Sequence, residues 1–433
     1  MKGRPPDDVQ SLPGFREFYP EEFALRWHIF SAWRRVAARY GFVEYDAPPL
    51  EPLELYTRKS GDEIVGQLYD FVDKGGRAVA LRPEMTPSFA RMISARAGAL
   101  PKPIRWYSIP QLFRYERPQR GRLREHFQLN MDIVGETDPL ADAEIIAAGL
   151  DTLRELGLDE THVVARVSDR RLVAAVLAAN GIPPEAHGAV YAVLDKADRE
   201  TPEWLRDRLA GAGVDGEIAE RVLSLPEQSL EEIRSAYADH EAVLEGADGT
   251  AAVLGHLESA GFGPFVRFDA GLVRGLAYYT GTVFEIWERS GNLRAVCGGG
   301  RYDDLLASLG GADLPALGFG MGDVVLGELL RDLDLVPGAT LEVDDFIVCV
   351  SEDVRGTVLE LGAALRGAGR RVVYDLKPRG VGRQFKAADQ LGAARAVVVG
   401  PDEVGRGVAV VRDMRSGEES QVPLAELMRG GAG

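Results

Sequence analysis

The chain has 433 residues, and its 67 acidic and 50 basic side chains give it a formal net charge of −17. Such an acidic balance argues against binding nucleic acid over the whole surface, because phosphate binding requires clustered cations. The length suits two or three domains, and the absence of both an apolar run of about twenty residues and an N-terminal apolar signal core predicts a cytoplasmic protein without membrane spans.

The first predicted element is an amphipathic helix over residues 20–40, with a proline and two glutamates at its start. Phe23, Trp27 and Phe30 recur at helical spacing and are interpreted as core residues. The helix leads into an extended segment, FVEYDAPPLEP, which reaches two consecutive prolines, the first of them Pro48. We therefore expect a long helix followed by a strand.

A short polar segment, LRPEMTPS, comes next. Glu84 and Thr86 are two residues apart, so in an extended chain they would face the same side and offer a carboxylate and a hydroxyl to an ammonium group. The alternative is a turn with a helix cap, which such residues beside prolines form more often. The residues alone leave both open.

The densest cluster of charge lies in FRYERPQRGRLREHFQLNMDIVG, which begins at Phe113. Apolar and aromatic residues on both sides of the arginines predict two strands, and Pro118 and Gly121 predict a turn between them. Such a hairpin would present Arg114 on its first strand, together with Glu116. The return strand would present a further polar set, which consists of Gln128, Asn130 and Asp132.

Two interpretations of this hairpin are open. An arginine-rich run taken alone is most often a solvated surface. However, a guanidinium is a planar fork that matches phosphate oxygens two at a time, so several of them beside a carboxylate and an amide suit a polyphosphate. The strand frame on both sides favours the second interpretation.

The block resembles motif 2 of the class II aminoacyl-tRNA synthetases, and its form FRYERPQRGR is similar to that of the histidyl-tRNA synthetase family. The resemblance implies that Arg114 binds the α-phosphate of ATP and that Glu116 helps to place the adenine end. It implies that Phe127 stacks on the base and that Gln128 holds the amino or carboxylate group of histidine. No catalytic role is expected for His126.

Further roles follow from the same resemblance. Arg122 is predicted to bind ATP, and Arg117 and Gln119 match residues that recognise the extra 5′ guanine of histidine tRNA. The helix and strand at the start of the chain resemble motif 1, which forms the dimer interface in that family, so a homodimer is implied. Glu84 and Thr86 match the segment that holds the α-amino group of histidine.

Residues 169–258 form a string of short amphipathic helices punctuated by Gly and Pro. In position they resemble the insertion of histidyl-tRNA synthetases that approaches the acceptor arm of tRNA. This segment is acidic, which argues against a direct contact with RNA.

The segment LVRGLAYYTGTVFE resembles the histidine-binding motif of the same family. The resemblance implies that Arg274 lies against the histidine carboxylate and the α-phosphate, where a fixed cation stabilises developing negative charge. Tyr278 and Tyr279 would line the pocket, and Tyr279 with Asp132 would hydrogen-bond the two imidazole nitrogens. The sequence departs from the family's pattern twice, with Ala277 in place of Asp and Asp132 in place of Glu.

Two glycine-rich segments follow. CGGGRYDDLLASLGG is expected to place three glycines at a strand end, as the floor of the amino-acid pocket. GFGMGDVVLGELL predicts a strand and a helix in the place of motif 3, and its GxGxG is too weak a pattern to indicate a dinucleotide site. The arginine that ends motif 3 and grips the γ-phosphate is replaced by Val325, so either loop arginines such as Arg122 take over its role or activation is impaired.

From residue 344 onward, strands and helices alternate, which predicts an α/β module with a mostly parallel sheet. It resembles the C-terminal anticodon-binding domain of this synthetase subclass. Residues 366–395 carry eight cations against two carboxylates, the segregation expected where one face meets a polyanion. Arg379, Arg383 and Lys386 are the predicted tRNA contacts, against the alternative of ordinary helix-surface charge.

We therefore predict an α+β fold: a class II synthetase-like antiparallel sheet flanked by helices, with a helical insertion and a C-terminal α/β anticodon-binding-like domain. The predicted boundaries are 1–168 and 259–334 for the two parts of the catalytic domain, 169–258 for the insertion and 343–433 for the last domain.

The resemblance implies a homodimeric histidine–tRNA ligase that uses ATP with Mg²⁺, L-histidine and tRNA(His). No protein metal ligands are predicted, since Cys297 and Cys349 lack ligand spacing. The alternative is a catalytically inactive histidine sensor that resembles the regulatory subunit of ATP phosphoribosyltransferase.

Overall fold

The computed structural model describes residues 10–57, 65–197, 200–273, 278–308, 310–338 and 343–429. The chain divides into two units, residues 1–337 and residues 338–433. Each unit has its own sheet and its own hydrophobic core.

The first unit is organised around one large sheet. The described strands of the unit, in chain order, are β1 (Val43–Glu44), β2 (Leu50–Pro52), β3 (Tyr69–Val72), β4 (Ala78–Leu81), β5 (Ile104–Ser108), β6 (Gln111–Phe113), β7 (Glu125–Val134), β8 (Val163–Asp169), β9 (Val266–Phe268), β10 (Thr282–Glu288), β11 (Cys297–Arg301) and β12 (Ala316–Gly322). The order of the large sheet is β1-β5-β7-β12-β11-β10-β8-β9, with β6 also paired to β7, while β2, β4 and β3 form a separate small sheet. Only β1 with β5 and β8 with β9 run parallel in this described sheet, so the predicted antiparallel sheet is confirmed.

Helices pack against both faces of this sheet. The described α-helices of the unit are α1 (Pro20–Arg39), α2 (Glu54–Thr57), α3 (Thr86–Arg96), α4 (Pro139–Arg154), α5 (Arg170–Ala179), α6 (Pro184–Leu194), α7 (Pro202–Gly211), α8 (Gly216–Ser224), α9 (Leu230–Ala236), α10 (Glu241–Ser259), α11 (Leu305–Ser308) and α12 (Asp323–Asp332). Trp33 of α1 and Ile145 of α4 share one core with Met131 of β7 and Phe284 of β10.

Helix α1 forms where its pattern predicted, with Pro20 in its first turn. The interpretation of its aromatic residues as core is wrong for two of the three. The side chains of Phe23 and Trp27 are 42% and 58% exposed, whereas Phe30 packs against the core. The helix therefore carries an apolar face that the described part of the chain leaves uncovered.

Helices α5 to α10 pack around a second core, which includes Leu172, Val176, Leu209 and Val243. The contact between α5 and α10 is close, because a β-carbon on Gly246 would lie 2.8 Å from the backbone of Leu172. The fold class, with its helical insertion, is thus confirmed, while the exact domain boundaries stay predictions.

The second unit contains a five-stranded sheet. Its strands are β13 (Asp345–Cys349), β14 (Val372–Tyr374), β15 (Arg395–Val399), β16 (Val408–Asp413) and β17 (Glu419–Pro423), and its described α-helices are α13 (Arg355–Gly367), α14 (Val381–Gln390), α15 (Pro401–Gly405) and α16 (Leu424–Leu427). The order is β14-β13-β15-β16-β17. The three strands β14, β13 and β15 are parallel, whereas β16 and β17 are antiparallel. The short turn after β16 cannot make the crossover that a parallel neighbour needs, so the expected mostly parallel sheet holds only for the first three strands.

A buried ion pair ties β11 to α4. Arg301 is 2% exposed and donates to both carboxylate oxygens of Asp142, over 3.1 and 2.6 Å, and to the carbonyl of Glu136 over 2.8 Å. Two parallel hydrogen bonds between a guanidinium and a carboxylate form the strongest arrangement for such a pair. The pair holds the end of the glycine-rich strand against the core.

We expect Asp142→Asn to lower the free energy of unfolding by about 3 kcal/mol, because, among the described carboxylates, it leaves the buried Arg301 guanidinium with only the longer contact to the less buried Asp303. Urea denaturation measures this loss. The exposed pair of Arg206 and Glu220 provides the control, since Glu220→Gln should cause no measurable change. A stability loss in Asp142→Asn no larger than that of the control would contradict the assignment.

Candidate active site

Strand β6, strand β7 and the loop of residues 114–124 between them form the predicted hairpin. The turn lies where Pro118 and Gly121 predicted it. Gln119 and Arg122 exchange two backbone hydrogen bonds of 2.9 Å. Gly121 has a φ of +74°, a left-handed conformation that glycine adopts without strain. The predicted hairpin and its turn are therefore confirmed, but the first strand ends at Phe113, so Arg114 and Glu116 lie in the loop and not on that strand as expected.

Two cavities open on the face of the large sheet opposite the α1 and α4 core. The larger compartment has a volume of about 800 Å³ and the smaller one a volume of about 270 Å³. They share a wall that consists of Arg114, Glu116, Arg122, Gln128, Gly298 and Gly320. One ligand in each compartment would therefore meet the other at this wall, beside a fixed guanidinium.

Strand β7 supplies both compartments and the core by simple alternation. Its even-numbered residues His126, Gln128, Asn130 and Asp132 line the cavities, while its odd-numbered residues Leu129, Met131 and Ile133 belong to the core. Side chains of a strand point alternately to its two faces. The spacing of the predicted polar set Gln128, Asn130 and Asp132 is thus confirmed.

The same alternation separates Phe127 from the cavities. Its ring packs 5.1 Å from that of Phe30, and it lines neither compartment. His126 presents its ring to the larger compartment instead. Burial, together with the charge of Arg114, lowers the pKa of His126 to about 3, so the ring is neutral at pH 7. Strand alternation from Gln128 was the signal that could have found this residue in the sequence.

The smaller compartment is built around a buried carboxyl group. Asp132 accepts a hydrogen bond from the hydroxyl of Tyr302, and burial raises the pKa of Asp132 to about 7. The rings of Tyr278 and Tyr279 lie next to each other on the same wall, with centroids 4.9 Å apart. Tyr302, which directly follows the glycine-rich strand, was not among the site residues predicted from the sequence.

Glycines create the room for these side chains. A β-carbon on Gly318 would lie 2.1 Å from Oδ1 of Asp132, and one on Gly320 would lie 2.5 Å from Nε2 of Gln128. Contacts under 3.0 Å would force the site side chains out of place. The three glycines of CGGGR were expected at a strand end, but they lie inside β11, where Gly299 passes close to β12. The glycine pattern therefore reflects close packing in the sheet.

Glu84 and Thr86 both line the smaller compartment. The expected extended segment is wrong for Thr86, which is the first residue of α3, with Pro87 in the first turn. Proline suits this position because a first-turn N–H has no partner within the helix. The carboxylate and the hydroxyl thus reach one cavity from the start of a helix.

The remaining motif 2 residues are held by local contacts. Nε of Arg114 donates to the carbonyl of Pro83 over 2.9 Å. Arg122 and Glu116 form an ion pair between the two sides of the loop. Such contacts fix the side chains in place before any ligand arrives, which reduces the reorganisation that binding requires.

Some predicted residues lie elsewhere. Arg117 and Gln119 lie on the exposed loop of the hairpin and line neither compartment. Arg379, Arg383 and Lys386 belong to the second unit. Arg274 and Ala277 fall outside the described residues.

Val325 lies in the first turn of α12 and lines the larger compartment without contributing a charge. Its neighbour Asp323 accepts hydrogen bonds from the guanidinium of Arg16 and the backbone N–H of Phe127, each over 2.9 Å. This turn is therefore tied to β7 through Asp323. The structure therefore has an apolar side chain, Val325, where the sequence motif predicted the loss of an arginine.

Within the described ranges, no group of three or more His, Cys, Asp or Glu side chains is arranged to hold a metal ion. No described helix is long and apolar enough to cross a membrane.

Comparison with known proteins agrees with this architecture. A sequence model of the family described as histidyl-tRNA synthetase matches residues 14–322, and one described as an anticodon binding domain matches residues 345–430. The chain is 45% identical over 432 residues to the histidine–tRNA ligase of Opitutus terrae, with 96% of this chain and 97% of that protein covered. It is 39% identical over 425 residues to the chloroplastic/mitochondrial histidine–tRNA ligase of Arabidopsis thaliana, with 97% and 86% covered.

A solved structure extends the likeness to the fold. The histidyl-tRNA synthetase from Nostoc sp. PCC 7120 superimposes with a TM-score of 0.83 at 24% identity, and the match covers 97% of this chain and 98% of that one. The antiparallel sheet with its motif 2 hairpin and double cavity is the catalytic fold of a class II aminoacyl-tRNA synthetase. Within that class, the chain belongs to the histidyl-tRNA synthetase family.

We expect Asp132→Asn to stabilise the protein at pH 8. The native carboxyl group has a pKa of about 7, against 3.8 as its ordinary value, so between these values the native state binds more protons than the unfolded chain. Stability therefore falls as the pH rises through this window. Asn cannot ionise, so the variant should exceed the wild type by roughly 2–4 kcal/mol at pH 8.

The advantage of Asp132→Asn should disappear below about pH 4, where both states of the wild type hold the proton. Urea denaturation at pH 4 and pH 8 measures both values. An equal pH dependence in the wild type and the variant would show that the native carboxyl group ionises normally.

Proposed function

We propose that the protein catalyses ATP-dependent activation of histidine to histidyl-adenylate and transfer of the histidyl group to tRNA(His). The observation that carries this proposal is the wall shared by the two compartments, at which Arg114 and Gln128 stand. A nucleotide in the larger compartment and an amino acid in the smaller one would meet there. Proximity of this kind replaces a bimolecular encounter with a reaction between two positioned groups.

In the first step, a carboxylate oxygen of histidine attacks the α-phosphorus of ATP, and the bond to pyrophosphate breaks. Arg114 would bind the α-phosphate and stabilise the charge that develops on it. Arg274 is proposed for the same role from the sequence motif alone. In the second step, a hydroxyl of the terminal tRNA ribose attacks the carbonyl carbon of the adenylate, and AMP leaves.

The smaller compartment suits the side chain and the amino group of histidine. Asp132, held by Tyr302, and Tyr279 would hydrogen-bond the two imidazole nitrogens, since a neutral imidazole has one donor and one acceptor. Glu84 and Thr86 would accept from the ammonium group. Gln128 would hold the carboxylate or the amino group, and Tyr278 would close the wall.

The larger compartment suits the nucleotide. We propose that the neutral ring of His126 stacks on the base in the role that the sequence motif suggested for Phe127, while Glu116 places the adenine end and its partner Arg122 contacts the phosphates. Mg²⁺ would enter with ATP, held by phosphate oxygens and one or two carboxylates. Glu285, which lines this compartment, is the residue proposed to share it, and the ion would supply positive charge to the leaving pyrophosphate.

Contacts to tRNA are proposed for two places. Arg117 and Gln119 would meet the 5′ end from the exposed hairpin loop. In the second unit, Arg383 and Lys386 lie on the exposed side of α14, whose buried Gln384 fixes the helix to β13 through the backbone N–H and carbonyl of Cys349. These two residues, with Arg379, would contact anticodon-arm phosphates.

The histidine-sensor alternative is not favoured. The curated relatives described above are named histidine–tRNA ligases, and the chain carries an anticodon-binding domain that a sensor does not need. We further propose a cytoplasmic homodimer. The exposed apolar residues Phe23 and Trp27 of α1 and Val43 of the edge strand β1 support this assembly, since burying exposed apolar side chains favours association.

We expect histidine-dependent exchange of labelled pyrophosphate into ATP in the wild type, and a loss of about 100-fold or more in Arg114→Ala, because a cation at the reacting phosphate is removed. Arg274→Ala should behave in the same way. Arg96→Gln, on an exposed part of α3 away from both compartments, is the matched control and should keep full exchange. Histidine binding without any exchange would instead favour the sensor.

We expect the wild type to sediment with twice the 47.0 kDa mass of one chain and Trp27→Glu to shift the equilibrium towards the monomer, because a charge would be buried without a partner at the interface. Leu359→Glu provides the control, since Leu359 is comparably exposed, at 48%, but lies on α13 of the second unit. A monomeric wild type at micromolar concentration would contradict the proposed dimer.

A further inference from the structure

Arg294 is a cation of the larger compartment that the motifs did not single out. It lies in the segment between β10 and β11 and lines the compartment with an exposed side chain. With the residues that the structure describes, it makes no hydrogen bond, ion pair or ring contact. Its five N–H donors are therefore available to a ligand.

The other guanidinium groups along the described lining of this compartment are already engaged. Arg114 donates to a backbone carbonyl, whereas Arg122 and Arg166 each pair with a carboxylate. A paired guanidinium has part of its donor capacity and much of its field neutralised by the protein. Arg294 therefore contributes the least compensated positive charge on this lining.

The backbone around Arg294 is firmly anchored. Leu293 and Val296 are buried in the main core, and the backbone N–H of Val296 donates to the carbonyl of Ile286 over 2.8 Å. The turn before them is fixed by Glu288, whose carboxylate accepts from two backbone N–H groups. An exposed, unpaired side chain thus projects from a fixed segment, an arrangement suited to binding a ligand rather than to stabilising the fold.

The lining formed by the start of α12 supplies no comparable charge. Val325 and Val324 line this part of the compartment, together with Gly322. If His126 stacks on the base and Arg114 meets the α-phosphate, the protein cation that the proposed function leaves for the terminal phosphates is Arg122, whose charge is already paired with Glu116. A planar guanidinium matches their oxygens two at a time.

We propose that Arg294 binds the terminal phosphates of the nucleoside triphosphate and holds them as they leave as pyrophosphate. This assignment rests on the proposed function, in which the larger compartment takes ATP. The exposure of Arg294 suits the role, since the leaving pyrophosphate must reach solvent. The residue then performs, from a different segment, the phosphate contact that Val325 cannot make.

The test compares ATP with AMP in direct binding measurements, which need no catalysis. In Arg294→Gln, the affinity for ATP should fall about tenfold or more, as expected for losing hydrogen bonds to a charged group, while the affinity for AMP stays unchanged. Arg294→Lys keeps the positive charge but not the planar guanidinium, so its affinity for ATP should fall by a smaller factor. Arg96→Gln is the matched control and should bind both nucleotides like the wild type.

Pyrophosphate exchange supplies the second measurement. In Arg294→Gln, the KM for ATP and for pyrophosphate should rise by a similar factor, with the KM for histidine unchanged. Thermal melting should match the wild type, because no described contact is lost. An ATP affinity within twofold of the wild type, or an equal loss for ATP and AMP, would overturn the assignment.

The two proposals can fail separately. A wild type that prefers ATP over AMP through Arg294 but performs no exchange would leave the phosphate contact standing and overturn the ligase function. If the wild type performs exchange but its ATP affinity does not depend on Arg294, the ligase function stands and the proposed phosphate contact of Arg294 is overturned.

Discussion

Strand β7 is the constraint on which the rest of the first unit depends. Its odd-numbered residues complete the core against α1 and α4, and its even-numbered residues line both compartments. Because the side chains alternate strictly, a slip of one residue would expose the core set and bury the polar set. Pairing with β12 along seven residues and with β5 along five holds this register. The chemistry of the site and the stability of the sheet are thus specified by the same hydrogen bonds.

Several features of the site lower the stability of the fold, and a nearby ion pair raises it. Asp132 is buried, and burial disfavours its ionised form. The neighbouring strand has a glycine at Gly318, where a β-carbon would clash with the carboxyl group of Asp132. Glycine in a strand interior also weakens the strand. The buried pair of Arg301 and Asp142 lies at the end of the next strand and fixes it to α4. The pair therefore stabilises the sheet close to a site whose buried carboxyl group and strand glycines do not.

Two arginines of the motif 2 loop, together with Arg16 near the start of the chain, serve as positioned structural cations. Arg122 pairs with Glu116, Arg120 with Glu328 and Asp332, and Arg16 with Glu125 and Asp323. An ion pair fixes a guanidinium in place, but the carboxylate partner neutralises part of its charge. A run of arginines in the sequence therefore overstates the positive charge that a ligand meets. In this architecture, an unpaired arginine from a distant segment, Arg294, can matter more than a paired one within the motif.

The amino-acid sequence was enough to predict the motif 2 hairpin with its turn and the polar spacing of Gln128, Asn130 and Asp132, because turn chemistry and strand alternation are local properties. The fold class followed from the resemblance of its motifs to those of the class II aminoacyl-tRNA synthetases. The same resemblance also identified Glu84, Thr86, Tyr278 and Tyr279, which the structure gathers in one compartment. Four features emerged only from the folded chain: His126 rather than Phe127 faces the cavity, Tyr302 supports Asp132, the α1 aromatics Phe23 and Trp27 are exposed, and Arg294 lines the compartment. Each of these depends on register and on contacts between segments distant in the chain, and such pairings are set by the packing of the whole sheet rather than by any local pattern.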